Sequence, residues 1–249
     1  MQRLLIFLLI IHTALLLVSC SKIKSLSSSP AHDGFDSSTL SDIWETDKIV
    51  SSDAELQSKV VRSGHGAIKI TIHSGDKFEV GQHGSLSTER AELTEAEQLI
   101  SYEGKTYSYK FSMYIPTDFP IVPTRLVIAQ WKQECPRGGI CDDNSPVLAL
   151  RYVSGVLRVT QNIGDHQTTF YRSQKELRGR WLDFEFHICF SSGNNGSIYG
   201  SIDDSTIVNY RGPTTYKETK STGYPVSEPL LFQDGSLPRS YARTNDYFY

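Results

Sequence analysis

The sequence lacks strong charge of either sign: 25 Lys and Arg stand against 28 Asp and Glu over 249 residues, a net charge of −3. That balance gives no general field for a nucleic acid, so none is expected as partner, although basic residues at particular positions can still hold an acidic ligand. Cysteine is scarce, at four. Cys135 and Cys141 bracket PRGGI with no further Cys or His beside them, which argues against a metal there, and no cofactor is expected. Long amphipathic helical runs are missing too; the one short candidate is AELTEAEQL, residues 91–99. There is no internal repeat. The length suits one globular domain with a sizeable core, expected to be a monomer.

The longest apolar run, LLIFLLIIHTALLLV, follows Arg3 and is closed by Ser19 and Cys20. It is short for a membrane span and has the flanks of a signal peptide. The tetrapeptide LVSC resembles the bacterial lipobox, which implies lipidation of Cys20 and export, with contact to the membrane only through the lipid. Residues 1–20 are read as this leader and 21–34 as a flexible Ser-rich tether. In an exported protein the Cys135–Cys141 spacing suggests a small disulfide-closed loop. Cys189, inside DFEFHICF, reads as an inert core or face thiol.

What is present in quantity is strand signal. GAIKITIH, TYSYKFSMYI, RLVIAQWK, VLALRYV, GVLRVTQN, WLDFEFHICF and GSIYGSID are short, rich in aromatic and β-branched residues, and punctuated by turn residues such as SGHG, PTDFP, SSGNNG and DDS. Many strands at close spacing predict an all-β jelly-roll sandwich over residues 35–225. The two-residue period places Arg90 with Glu92, opposite Ala91 and Leu93. It also places Gln130 and Lys132 on one face, with Leu126 and Ile128 further back, and puts Arg125, Val127, Ala129 and Trp131 on the other.

Together ERAELTE, RLVIAQWKQ, GDKFE, GRWLDFEF and the later IVNYRG and TGYP resemble polysaccharide lyases of the heparin lyase I type, whose plan alginate and glucuronan lyases share. The resemblance covers roughly residues 33 to 225. It implies β-elimination on an acidic, uronate-containing polysaccharide. Arg90 and Gln130 would stabilise charge developing beside the uronate carboxylate. Glu92 would hold Arg90. Lys132 stands where many such enzymes carry a catalytic His, and serves either as base or as a cation for the anionic sugar. His83, Arg125 and Arg151 are candidate substrate contacts; His187 and His166 have weaker claims. Trp44, Trp131 and Trp181 are read as packing rather than sugar platforms. The Lys132 departure keeps open a non-catalytic carbohydrate-binding jelly roll. A glycoside hydrolase would want paired acids at catalytic spacing, for which Asp183 and Glu185 are a poor substitute.

After TGYP the resemblance requires a strand like YFKFGLYR, carrying the Tyr that protonates the leaving oxygen. Residues 226–249 read VSEPLLFQDGSLPRSYARTNDYFY instead, and Leu237 falls at the Tyr position. One codon choice for Phe232 to Arg239, TTT CAA GAT GGG TCT CTA CCG CGA, read one nucleotide later gives FKMGLYR. The same shift continues to a closing strand, EVMPEPMTIFI. The segment therefore reads as an out-of-frame tail beginning near Pro225, in which case the sandwich lacks its C-terminal strands and activity is impaired.

Overall fold

The computed structural model describes residues 30–76, 89–133, 146–163 and 166–216, and the strand backbones of 231–236 and 245–248. The chain forms an antiparallel jelly-roll sandwich. In chain order the strands are β1 (Trp44–Lys48), β2 (Ala54–Gln57), β3 (Ala67–Ile72), β4 (Glu92–Glu95), β5 (Ser101–Tyr102), β6 (Thr106–Tyr114), β7 (Leu126–Gln133) and β8 (Leu148–Val153). They continue with β9 (Val156–Ile163), β10 (His166–Arg172), β11 (Trp181–Cys189), β12 (Ser197–Ile202), β13 (Ser205–Arg211), β14 (Leu231–Ser236) and β15 (Asn245–Phe248). One sheet runs β10-β9-β8-β7-β14-β5, the other β13-β12-β11-β6-β15-β3-β2, and β1 pairs with β4. The seven quoted strand signals correspond to β3, β6, β7, β8, β9, β11 and β12. The expected helix at 91–99 is instead β4 followed by a single 3-10 turn, Glu97–Leu99. Ala91 and Leu93 alternate into the core there, so burial outweighs the helical propensity of the Glu and Ala residues.

The core lies between the sheets. Along β11, Leu182, Phe184, Phe186 and Ile188 point inward and are fully buried. Trp131 meets the Phe186 ring at 4.9 Å and the Tyr109 ring at 5.6 Å. In β7 a bulge corrects the simple alternation. Val127 pairs with Arg151 and Ala129 with Leu150, so Ile128 is the extra residue. Leu126, Ile128, Ala129 and Trp131 all reach the core, while Gln130 and Lys132 keep the opposite face. The β8–β9 hairpin turns on Ser154 and Gly155, both at positive φ (53° and 80°), a two-residue turn whose twist matches its strands.

The C-terminal strands are not missing, contrary to the sequence expectation. Pro229 and Pro238 flank β14 rather than interrupt it, and pairing asks only for backbone N–H and C=O groups between them. β14 pairs with β7 through Phe232–Gln133, Gln233–Lys132 and Ser236–Gln130, and its register breaks between Gln233 and Ser236. β15 pairs with β3 over four residues but with β6 only through Phe248 and Tyr114. Among the described residues nothing else pairs the β6 edge from Thr106 to Met113 on that side. The inward side chains there, Tyr107, Tyr109 and Phe111, are only half-buried.

Candidate active site

The outer face of the first sheet carries Gln130, Lys132 and Arg151, and β4, which pairs with β1, carries Glu92 beside that sheet. Arg90 stands just before β4 and Glu92 within it, both turned away from the buried Ala91 and Leu93. The Arg90 N–H donates to the Asp76 carbonyl at 2.8 Å, and its Nε lies 3.9 Å from Glu92 Oε1. Both side chains are buried, so the two opposite charges face each other with little water between them. β14 runs between β7 on one side and β5 with β4 on the other. Gln130 and Lys132 on β7 therefore face outward with β14 between them and β4. Gln130 is buried and Lys132 half-buried. Beyond β7, Arg151 on β8 shares the face; its Nε donates to Thr160 Oγ1 of β9 at 2.7 Å. Gln130, Lys132 and Arg151 thus share one face of neighbouring strands, with Glu92 on β4 and Arg90 just before it across β14. Arg125 is exposed just before β7.

Other candidates fall elsewhere. His187 lies on the outer face of the opposite sheet, 2.7 Å from Glu185, which also meets Lys110 Nζ at 2.9 Å. Asp183, on that same face, takes both forks of Arg62 at 3.0 and 2.6 Å and a bond from Ser112 Oγ at 2.6 Å. Arg62 holds the Asp183 carboxyl below the usual carboxylate range, and Lys110 with His187 does the same for Glu185. Both are kept ionised, whereas a glycosidase pair needs one carboxyl raised to act as acid. Trp131 is core. Trp44 stacks on Phe35 and donates Nε1–H to Asp33 Oδ2 at 3.0 Å, and Trp181 packs on Tyr114. Cys189 is disulfide-bonded, not the inert thiol expected; its partner lies outside the described residues. So do His83, Cys20, Cys135, Cys141 and residues 77–79 of GDKFE, while His166 begins β10.

A jelly-roll sandwich that sets Arg, Gln and Lys on one sheet face, with an ion-paired arginine across the next strand, has the build of a carbohydrate-active β-sandwich. The sequence profile of the polysaccharide lyase family matches residues 35–231, and the chain belongs to that family. Among solved structures, the chain is similar to an endo-β-1,4-glucuronan lyase from the fungus Trichoderma reesei, at 16% identity and a TM-score of 0.58, covering 78% of this chain and 83% of that one. It is also similar to an alginate lyase solved with an alginate trisaccharide, at 12% identity and a TM-score of 0.51, covering 80% and 83%. At these identities the likeness establishes the fold. A comparison with curated protein sequences finds no match.

Proposed function

We propose that this chain is built to cleave a uronate-containing polysaccharide by β-elimination, as a lyase of the heparin lyase I type. The observation that carries the reading is that Gln130 and Lys132 on β7 and the Arg90–Glu92 pair at the start of β4 lie on either side of β14. Arg90 and Gln130 neutralise the uronate carboxylate as charge develops on abstraction of the C5 proton. Lys132 takes that proton or anchors the sugar. The acid for the leaving oxygen is the Tyr of the shifted reading frame. We align that strand with β14, where Ser236 pairs with Gln130; under the codon choice above its Tyr falls at the next position, 237. With Leu237 there, the chain as given has little or no turnover. The test is ultraviolet absorbance of the unsaturated product on a panel of uronans, with the chain as given and with the frame restored after Pro225. Absorbance growth only in the restored chain is expected; no growth on any uronan from either chain removes the lyase reading.

A second reading, a carbohydrate-binding jelly roll without catalysis, is favoured by Lys132 in place of His. It predicts glycan binding by the restored chain without product. Lipid anchoring at Cys20 belongs to the same proposal. It predicts incorporation of labelled fatty acid in a bacterial host, lost in Cys20→Ala.

A further inference from the structure

No residue of β7, β8, β9 or β10 is Asp or Glu, yet these strands carry Lys132, Arg151, Arg158 and Arg172. The pairing registers align the arginines. Val127 pairs with Arg151, Arg151 with Arg158, and Arg158 with Arg172, so three guanidiniums stand on adjacent strands and one face. The row beside it on that face is Gln130, Ala149, Thr160 and Thr169, polar at the Gln130 end and small thereafter. A third row includes Asn162 and Gln167, whose side chains bond each other at 2.9 Å. The face is thus a floor of small residues leading away from Gln130 across three strands, about 14 Å, with arginines along one side. Like charges directly opposite one another in a sheet repel, and a bound anion relieves that repulsion. Arg158 Nε is buried with no hydrogen-bond partner among the described residues, while Arg172 is exposed.

Resting on the lyase reading above, we propose that Arg158 and Arg172 form a carboxylate-binding track. It would hold the uronates of a polyuronate running across the strands from the Gln130 end, with Arg151 as its inner member. The planar fork of each arginine matches a carboxylate, and successive forks lie one strand spacing apart.

The experiment is affinity electrophoresis of the full chain in gels containing polyglucuronate, alginate, dextran sulfate or neutral dextran, repeated with Arg172→Ala, Arg172→Lys and Arg158→Ala/Arg172→Ala. Circular dichroism confirms folding of each variant. The expected result is retardation by a polyuronate but not by neutral dextran. Retardation should weaken about fivefold in Arg172→Ala and about twentyfold in the double variant, be largely kept in Arg172→Lys, and fall with added salt. Retardation by a polyuronate that is unchanged in Arg172→Ala and the double variant overturns the track and leaves the lyase reading standing. Retardation by dextran sulfate alone, lost in the same variants, keeps the anion track and removes its uronate ligand. No retardation by any polyanion overturns the track.

Discussion

At the scale of single residues, burial and partner decide what each charge can do. Arg90 is buried beside Glu92, with its Nε 3.9 Å from Oε1, whereas Lys132 is half-buried. In a chain with the frame restored, Arg90→Ala is expected to lower turnover about a hundredfold with little change in melting temperature. Initial rates on the best uronan check this, and near-normal rates would take the charge-neutralising role away from Arg90. Asp33 offers a separate test. Burial opposes its ionisation but is outweighed by bonds from Phe35 N–H, the Ser41 hydroxyl and N–H, and Trp44 Nε1–H, leaving its carboxyl below the usual carboxylate range. A depressed folded pKa contributes stability that is present above the unfolded value and lost as pH falls through the folded one. Asp33→Ala should therefore cost about 1–2 kcal/mol at neutral pH. It should also flatten the loss of stability below about pH 4, the ordinary range of a free carboxylate, in urea titrations at several pH values.

At the scale of elements, the turns hold the site in register. Gly155 sits at positive φ with only ordinary contact for an added Cβ, 3.5 Å from Ile121 Cδ1, so a side chain there is opposed by backbone conformation rather than by space. Gly155→Val is expected to destabilise the protein by about 1–2 kcal/mol and to loosen the Arg151–Arg158 alignment, read as weaker polyuronate retardation at equal folded fraction. Much of this level was legible in the sequence. Seven strands announced themselves by their alternation and composition, and Arg90, Gln130 and Lys132 were singled out by the resemblance of their motifs to those of lyases. The Ile128 bulge was not legible, because an inserted residue leaves an apolar run looking continuous. Nor was β10, whose sequence HQTTFYR is too polar to suggest a buried sheet, and with it Arg172 escaped notice. The missed signal for the arginine row was the scarcity of acidic residues from Asn144 to Lys175, where Asp165 stands alone, in a chain of otherwise balanced charge. β14 was dismissed because its side chains have no period, but strand pairing is a backbone property and tolerated them.

At the scale of the whole molecule, the two sheets are unequally closed. β11 has neighbours on both sides and its inward residues are fully buried. The next strand, β6, meets β15 at a single residue pair and leaves Tyr107, Tyr109 and Phe111 half-exposed. A cavity of about 790 Å³ opens along that edge and runs inward past Tyr109 and Phe111 to Ala129 and Trp131 of the opposite sheet. A strand laid antiparallel along β6 from Thr106 to Met113, in a register other than that of Phe248 with Tyr114, would close it. One codon choice for RSYARTNDYFY, read one nucleotide later, would give EVMPEPMTIFI, the closing strand proposed above. Fully burying one large apolar side chain is worth about 1.5–3 kcal/mol, so completing the burial of three half-buried aromatics is worth on the order of 3 kcal/mol. In a domain of this size that corresponds to a rise in melting temperature of about 10 °C. Calorimetry of the chain as given beside the chain restored after Pro225 should show this rise. It should be largely lost if the closing strand alone is truncated, while the Tyr-bearing strand is kept. Equal melting temperatures in the two chains would mean that the present tail already closes the sandwich, and the out-of-frame reading of residues 226–249 would fail this test.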